Sequence, residues 1–232
     1  MVSIIIGGTR GIGKVIKEHL TARGDLVYTV SRSDLKQKSH ISCDIAKCKK
    51  SVFDRIDRID NIIFTHRYRG DDWDEAFNVT VKAVNNVVDA AVHKFDKGGS
   101  VVIISSNASQ FILEEQPPEY HASRAALEAL MRYYVVAYGN KSIRFNCVLP
   151  STQIKPENKN FFTKDNNVRN MIEKITPLNR MGTADDMANI VEFLCSQKSS
   201  FVTGSSIFMD GGVSLVGQEN IARELSGLKH EE

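Results

Sequence analysis

Residues 2–13 read VSIIIGGTRGIG, and this stretch decides the fold class. Val2–Ile6 is a mostly apolar, β-branched run, which favours a short buried strand. Four glycines follow at positions 7, 8, 11 and 13, and the amphipathic residues 14–23 then predict a helix. A strand, a glycine turn and a helix in this order form one βα unit. The stretch therefore predicts an α/β fold.

The glycine turn has the residues that a dinucleotide needs. Gly7 and Gly11 permit a tight turn and a close approach of the backbone to a pyrophosphate, and Gly13 permits close packing of the helix on the strand. The free N–H groups at the start of a helix favour an anion. A glycine-rich turn can also be only a turn, but the strand before it and the helix after it favour dinucleotide binding. The cofactor contacts predicted here are Gly7, Thr9, Arg10, Gly11, Ile12 and Gly13.

Short apolar runs alternate with helical patterns through the rest of the chain. Further strands are expected at residues 26–30, 41–44, 61–64, 101–104, 143–149 and 206–209, and helices at residues 47–59, 71–95, 120–138 and 184–196. This alternation predicts a parallel sheet, because consecutive parallel strands need a crossover. We assign residues 1–232 to one domain. Residues 151–182 are expected to form a lid over a substrate, with an ordinary surface excursion as the alternative.

The composition excludes several classes of protein. A net charge of +2, with acidic and basic residues evenly mixed, excludes a nucleic-acid footprint and a polybasic membrane patch. No apolar run approaches the roughly 20 residues that cross a membrane. The four cysteines lack CxxC spacing and residues 1–8 lack a signal-peptide pattern, which predicts reduced thiols in a cytoplasmic protein. The six histidines lack ligand spacing, so no metal site is expected.

Residues 31–33, at the end of the second predicted strand, bear on the choice of cofactor. An NAD-binding protein usually has a carboxylate here for the 2′-hydroxyl of the ribose, whereas this chain has Arg32. Arg32 and Arg10 would suit a 2′-phosphate, because guanidinium groups form charge-assisted hydrogen bonds with phosphate. We therefore expect NADP. NAD stays the alternative, with Asp34 as the ribose carboxylate.

A second stretch, residues 105–124, carries groups that can exchange a proton. The hydroxyl of Ser106 comes after the apolar strand at residues 101–104, and open α/β sheets place their chemistry at the carboxyl ends of strands. Tyr120 and Arg124 are four residues apart, so they share one helix face. The cation favours phenolate and the serine can hydrogen-bond a substrate oxygen, which indicates acid–base chemistry on a carbonyl or an alcohol. The alternative is a tyrosine at a helix start with an exposed arginine.

Taken together, these motifs resemble those of the short-chain dehydrogenase/reductase family over essentially the whole chain. The resemblance implies a single-domain Rossmann fold, with a doubly wound parallel β-sheet of about seven strands flanked by helices. It also implies an NAD(P)-dependent oxidoreductase. The matching pieces, in chain order, are the glycine turn at residues 7–13, Asp44, Asn78, Ser106, Tyr120, Pro177-Leu178, Thr203-Gly204 and Asp210-Gly211-Gly212.

The resemblance also implies roles for these residues. Tyr120 would be the acid/base, Ser106 would bind the substrate oxygen, and Asn78 would support a proton-relaying water. Asp44 would meet the adenine. The family implies a homodimer or homotetramer built on the two long predicted helices, and the candidate interface residues are Val92, Met131 and Tyr134.

Three positions depart from the family pattern. The family pairs its tyrosine with a lysine four residues later; this chain has Arg124, which can hold a ribose and lower the pKa of the tyrosine but cannot release a proton. Residues 64–67 read FTHR in place of Asn-Asn-Ala-Gly, which puts large polar groups beside the cofactor. The family's Pro-Gly after the sixth strand is Pro-Ser here, and the threonine expected beyond it is assigned to Thr152, with Lys155 as the alternative.

Two functions follow from these residues. The first is an NADP(H)-dependent oxidoreductase that interconverts a carbonyl and a secondary alcohol on a small soluble substrate, through Asn78, Ser106, Tyr120 and Arg124. The second is a non-catalytic dinucleotide-binding protein that acts as a sensor or partner subunit, which the departures favour. An anionic substrate is a further hypothesis, because several basic side chains fall on loops at the carboxyl edge of the sheet: His66, Arg67, Arg69 and Lys155.

Overall fold

A parallel sheet of seven strands forms the centre of the fold in the computed structural model, which describes residues 1–96 and 98–228. The strands are β1 (Val2–Ile6), β2 (Leu26–Ser31), β3 (His40–Ser42), β4 (Asn61–Phe64), β5 (Gly99–Ile104), β6 (Ile143–Pro150), β7 (Gln153–Ile154), β8 (Gly182–Thr183) and β9 (Ser206–Met209). β7 and β8 pair with each other, and the other strands lie side by side in the order β3-β2-β1-β4-β5-β6-β9, all parallel. The predicted α/β class and strand number are confirmed.

Helices cover both faces of this sheet, which makes it doubly wound as predicted. α1 and α6 pack against each other on one face, while α3 and α4 lie in the core of the other face. β1 shows why its residues form a buried strand: Ile4 and Ile6 enter one core and Ile5 enters the other. The helices are α1 (Gly11–Ala22), α2 (Trp73–Phe77), α3 (Ala83–Ala91), α4 (Pro118–Tyr138), α5 (Asn167–Ile175), α6 (Ala184–Leu194) and α7 (Gln218–Ser226).

The strand order reverses between β1 and β4, and this reversal positions the site. β2 and β3 lie on one side of β1, whereas β4, β5 and β6 lie on the other. In open α/β sheets the loops that leave such a point diverge and open a crevice at the carboxyl ends of the strands. Gly7 begins the loop after β1, and Thr65 begins the loop after β4. Both residues line the main cavity of the molecule.

The helix predicted at residues 47–59 is wrong. The structure has two short 3₁₀ turns instead, Ile45–Lys47 and Lys50–Phe53. Phe53, Ile56 and Ile59 are buried and lie three residues apart, a spacing that matches three residues per turn better than 3.6. The backbone bonds agree, because the N–H of Ile56 donates to the carbonyl of Phe53 at 2.9 Å.

The single helix predicted at residues 71–95 is interrupted. A π-helical turn, Asn78–Lys82, separates α2 from α3. Within this turn the N–H of Ala83 donates to the carbonyl of Asn78, five residues back, so the carbonyl of Val79 is released. That carbonyl accepts a hydrogen bond from His66 Nε2 at 2.9 Å. The interruption therefore changes which side chains of this segment face the sheet.

Residues 151–182 contain local structure that holds part of the segment beside the sheet edge. β7 pairs with β8, and α5 follows a side-chain cap in which Asn166 accepts from the N–H of Arg169 at 2.9 Å. Several residues after β6 line the main cavity. That this segment closes over a substrate stays a prediction.

In the described ranges 1–96 and 98–228, no helix combines the length and the apolar character that a membrane crossing requires. The four cysteines, Cys43, Cys48, Cys147 and Cys195, are free thiols. Burial raises the pKa of the Cys195 thiol to about 12, which keeps it protonated. The cytoplasmic location inferred from reduced cysteines stays a prediction.

Candidate active site

A cavity of about 730 Å³ lies at the carboxyl ends of the strands. It extends from the glycine turn after β1 to the start of α4, and it brings together residues that the sequence predicted from separate motifs. Ser106, Tyr120 and Arg124 line one part of it. All nine predicted cofactor contacts line it as well: Gly7, Thr9, Arg10, Gly11, Ile12, Gly13, Arg32, Asp44 and Thr152.

The glycine turn has the conformation that its glycines were predicted to allow. Gly7 and Gly11 have φ angles of 89° and 55°, in the left-handed region that other residues rarely adopt. Gly13 is buried, and a Cβ there would lie 2.5 Å from the carbonyl oxygen of Gly7 and 2.6 Å from Thr65 Oγ1. No side chain fits at position 13 unless the backbone moves. The turn therefore keeps its backbone open for a close approach by another group, as a dinucleotide needs.

The group that approaches Gly11 in this structure is the carboxylate of Glu157. A Cβ placed on Gly11 would overlap both oxygens of that carboxylate. The neighbouring Asn158 fixes the loop, because its side chain accepts from the N–H of Lys155 at 2.8 Å and donates to the carbonyl of Gln153 at 2.9 Å. An anion thus lies against the start of α1, where backbone N–H groups favour a phosphate. The sequence analysis missed Glu157, because no local pattern links it to the glycine turn.

The end of the cavity near β2 and β3 carries two exposed arginines, Arg10 and Arg32. Among residues 1–96 and 98–228, neither has a carboxylate within 4 Å. Free guanidinium groups at this position fit a phosphorylated ribose. Asp44 caps the 3₁₀ turn that follows β3 by accepting from the N–H of Ala46 at 3.2 Å. The residues present therefore fit an NAD(P) dinucleotide at this end.

Tyr120 and Arg124 form the centre of the other end, one helical turn apart at the start of α4. The guanidinium carbon of Arg124 lies 4.9 Å from the centre of the Tyr120 ring, and that of Arg67 lies 5.9 Å from it. Arg124 is only 4% exposed. Its Nη1 donates to the carbonyl of Ile104 at 3.4 Å, and its Nε has no hydrogen-bond partner within the described residues. The structure therefore supports the predicted pairing of a phenol with a fixed cation.

The surroundings of Tyr120 favour its ionised form. Burial alone would raise the pKa of the Tyr120 phenol, but the charge of Arg124, the Ser106 hydroxyl, and the charges of Arg67 and Lys155 together lower it below its ordinary value. Ser106 is buried and held by its own loop, because its Oγ accepts from the N–H of Ala108 at 3.2 Å. This hydroxyl is therefore held in a fixed position beside the phenol.

His66 lies behind this pair and is neutral. Burial, with the nearby charge of Arg124, lowers the pKa of His66 to about 4, although its bond to the Val79 carbonyl opposes the shift. Since Nε2 donates to Val79, Nδ1 of the neutral ring is an acceptor. This Nδ1 is buried and has no partner in the described part of the chain. A large aromatic ring thus lies near Arg124, where the family pattern has a small residue.

The structure does not bring Asn78 to the cavity. Its side chain amide donates to Glu75 Oε1 at 3.4 Å, on the outer side of the helical segment, and Asn78 is absent from the lining of the cavity. The π-helical turn explains the difference, because its extra residue per turn changes the angle between successive side chains. The residues that face the cavity are therefore not those expected for a regular α-helix. Thr80 is the buried polar residue of this turn. It lines a second cavity, of about 310 Å³, which shares Tyr120 and Arg124 with the first.

This geometry can now be compared with known proteins. The profile of a family described as enoyl-(acyl carrier protein) reductase matches residues 7–214. The chain belongs to the short-chain dehydrogenase/reductase family. An uncharacterized oxidoreductase of Schizosaccharomyces pombe is 29% identical over 235 residues, covering 91% of this chain and 90% of the relative.

Two further comparisons agree with this assignment. The L-rhamnose 1-dehydrogenase (NAD(P)(+)) of Sphingomonas is 33% identical over 143 residues, which cover 60% of this chain and 56% of that protein. A solved short-chain dehydrogenase/reductase structure, from Mycobacterium ulcerans, superposes with a TM-score of 0.81 at 24% identity, over 92% of this chain and 90% of the other; this likeness shows the fold. The predicted family and Rossmann-like fold are confirmed. The chain is an oxidoreductase of this family, which implies an NAD(P) dinucleotide cofactor.

Proposed function

We propose that this short-chain dehydrogenase/reductase is a single-domain, NADP(H)-dependent enzyme that interconverts a carbonyl and a secondary alcohol on a small soluble substrate. One observation carries the proposal. The ring of Tyr120 lies within 6 Å of two guanidinium groups and beside the Ser106 hydroxyl, in a cavity that continues to the glycine turn. The relative named as an NAD(P)-dependent sugar dehydrogenase supports the same class of reaction.

Arg10 and Arg32 support NADP(H) as the cofactor. Both are exposed at the end of the cavity where β2 and β3 terminate, and a 2′-phosphate would form charge-assisted hydrogen bonds with them. Gly7, Gly11 and Gly13 would hold the pyrophosphate against the start of α1. NAD(H) stays the alternative, with Asp34 as the ribose carboxylate.

The residues at the start of α4 provide the proton chemistry. A bound nicotinamide supplies the hydride to the carbonyl carbon, or accepts it from the alcohol. The Ser106 hydroxyl would hydrogen-bond the substrate oxygen, and Tyr120 would donate its proton to that oxygen during reduction. Arg124 stabilises the phenolate that remains. Thr152 would contact the nicotinamide end of the cofactor, because it lines the same cavity.

Proton resupply differs from that of the family, because Arg124 is permanently charged. With Asn78 outside the cavity, the proton would reach Tyr120 from solvent in the cavity. Lys155 is a second source, since burial and the charge of Arg67 lower the pKa of this ammonium and its charge acts on Tyr120. Slow turnover is therefore expected.

A non-catalytic role as a sensor or partner subunit is the second candidate. The Glu157 carboxylate at Gly11 and the large side chains of His66 and Arg67 favour it, because all three occupy space beside the place proposed for the cofactor. A titration separates the two roles. Fluorescence titration of the full chain with NADPH and NADH is followed by a carbonyl screen for NADPH oxidation. The proposal expects tighter binding of NADPH and oxidation with at least one carbonyl, whereas binding without any turnover supports the sensor.

A homodimer or homotetramer is proposed on α4 and the segment that contains α3. Met131 and Tyr134 were wrong as contact residues, because both are buried inside the subunit. Tyr133 and Val136 are the exposed apolar residues of α4, at 66% and 85% exposure, and they fit an interface better. Light scattering at micromolar concentration should return a dimer or tetramer mass, and Val136→Glu should lower it. A monomer mass for the parent would contradict this proposal.

A further inference from the structure

Four cations gather where the two cavities meet, and we refer to Arg67, Arg69, Arg124 and Lys155 as the cationic cluster. The three arginines line both cavities, and Lys155 lines the larger one. Two distances place the cluster at the catalytic centre, because the guanidinium carbons of Arg124 and Arg67 lie 4.9 Å and 5.9 Å from the ring centre of Tyr120.

Acidic side chains do not neutralise this cluster. Within residues 1–96 and 98–228, no carboxylate lies within 4 Å of any of its four charged groups. Glu119 lines the second cavity, and Asp44, Glu115 and Glu157 line the first, but none is in ion-pair contact with the cluster. Glu157 offsets part of the charge on Lys155 from a longer distance, but the described residues form no ion pair with any of the three arginines of the cluster.

The cations also act on one another. Burial and the charges of Arg67 and Arg69 lower the pKa of Lys155, although Glu157 opposes the shift. Burial and Arg67 lower the pKa of Arg124, although Tyr120 opposes the shift. The buried Nε–H of Arg124 donates to no group among the described residues. Arg124 is buried, Lys155 is partly buried, and Arg67 and Arg69 are exposed beside them. Buried charges and donors normally have partners, so a bound anion would supply the partner that Arg124 lacks and would relieve the repulsion among the four cations.

We infer that the cationic cluster is the subsite for an oxyanion of the substrate, a carboxylate or a phosphate, which enters the second cavity while the carbonyl lies at Tyr120 and Ser106. The second cavity has room for such a group, at about 310 Å³, and the side-chain amide of Gln116 in its lining adds a neutral donor. Arg10 and Arg32 lie at the opposite end of the larger cavity and leave the cluster free for substrate. The inference has two tests, one of anion binding and one of kinetics, and only the kinetic test rests on the proposed oxidoreductase function.

The binding part is tested without turnover. Thermal unfolding of the full chain is followed at saturating NADPH, with sodium phosphate or sodium acetate added and sodium chloride at the same ionic strength as the reference. Phosphate or acetate should raise Tm above the chloride value in the parent. Arg67→Gln and Arg69→Gln should lose that shift, and without added anion Arg69→Gln should unfold at a higher temperature than the parent, because repulsion is relieved.

Arg32→Gln is the matched control, since it removes a cation from the cofactor end. It should keep the full shift with phosphate. A shift that disappears in Arg32→Gln and persists in Arg67→Gln and Arg69→Gln would assign the anion to the cofactor site and overturn the inference. Equal Tm values in phosphate, acetate and chloride would overturn it as well.

The kinetic part uses paired carbonyls that differ in charge. NADPH oxidation is compared for dihydroxyacetone phosphate against dihydroxyacetone, and for pyruvate against methyl pyruvate. In at least one pair the anion should have a kcat/KM about tenfold or more above its neutral partner, and Arg69→Gln should reduce that ratio. Turnover that is equal or faster with the neutral partners refutes the subsite but not the oxidoreductase. If the parent oxidises NADPH with no carbonyl, while phosphate still raises its Tm and Arg69→Gln removes that rise, the oxidoreductase is refuted but the subsite is not.

Discussion

The two ends of the main cavity differ in composition, because backbone lines one end and charged side chains line the other. The end at residues 7–13, called here the glycine end, is a backbone surface formed by one contiguous turn. Gly7 and Gly11 have left-handed backbone angles, and Gly13 has no room for a Cβ. The other end, where catalysis is proposed, consists of side chains from separate loops and helices, with the guanidinium groups of Arg124 and Arg67 near the ring of Tyr120. The first end retains the family pattern because its requirement is steric. The second end retains the proton-exchanging groups but surrounds them with a different set of charges.

The difference shows which parts of the site tolerate change. A backbone cradle admits almost no substitution, because an added Cβ at Gly13 meets backbone atoms and the positive φ of Gly7 and Gly11 disfavours other residues. An electrostatic site can exchange one cation for another, as Arg124 illustrates, provided that the charge stays near the phenol. The predictions below test this contrast.

Gly13→Ala should have the largest effect. Its new Cβ would lie 2.5 Å from the Gly7 carbonyl oxygen and 3.0 Å from the Gly8 Cα, so the turn itself must move. We expect the free energy of unfolding to fall by about 3 kcal/mol and cofactor binding to be lost. Urea unfolding and NADPH titration measure the two effects.

Gly139→Ala is the control for that experiment. Gly139 has no atom within 4 Å of an added Cβ, and its φ is −59°, so alanine fits without strain. Its stability should match or exceed that of the parent. If Gly13→Ala behaved like Gly139→Ala, the glycine end would not be the steric cradle described here.

Acid should lower the stability of the folded protein through His66, which lies near Arg124. The folded protein lowers the pKa of this ring from 6.5 to about 4, so the unfolded chain binds more protons between these values. Stability is therefore complete above pH 6.5 and falls as the pH drops towards 4, by at most about 3 kcal/mol. His66→Gln should flatten the Tm profile in this window. The exposed His93→Gln should leave the profile unchanged, and an equally steep profile in His66→Gln would refute the assignment.

Arg32→Asp should reverse the cofactor preference at the glycine end. In the parent, NADPH should bind more tightly than NADH by about 10- to 100-fold, the value of one charge-assisted hydrogen bond to the 2′-phosphate. In the variant, the carboxylate repels that phosphate and suits a ribose hydroxyl. Lys36→Asp is the control, because it makes the same charge change in the same loop at an exposed position outside the cavity lining. Equal affinities of the parent for the two cofactors would contradict the prediction.

Glu157→Gln should have a small effect, and it should strengthen the binding of NADPH instead of weakening it. The carboxylate of Glu157 lies on Gly11, where the pyrophosphate is proposed, so removing its charge should tighten NADPH binding about three- to tenfold. Glu219→Gln on α7 is the matched control and should bind as the parent does. Weaker binding by Glu157→Gln would show that the carboxylate assists the cofactor instead of competing with it.

The contrast between the two ends also explains what the sequence could predict. The glycine turn is contiguous, and its strand, glycines and helix each carry a local signal, so its contacts were predicted residue by residue. The second cavity has no such signal, because its wall combines loop residues 67–70 with Thr80 and the start of α4. Asn78 was assigned to the site from the family resemblance, and the π-helical turn that begins at Asn78 departs from the regular helical spacing that would fix where its side chain points. The segment at residues 47–59 was mistaken for a helix because apolar residues three positions apart also fit 3₁₀ turns.

The proposed role of Tyr120 as the proton donor is tested by single-turnover oxidation of NADPH, with the best carbonyl from the screen. The parent, Tyr120→Phe and Arg124→Lys are compared, and NADPH binding is measured for each. We expect slow but real oxidation by the parent, and oxidation by Arg124→Lys that is at least as fast, because lysine restores a releasable proton. Tyr120→Phe should be slower by about 100- to 10,000-fold while still binding NADPH. If Tyr120→Phe oxidises NADPH as fast as the parent, Tyr120 is not the proton donor.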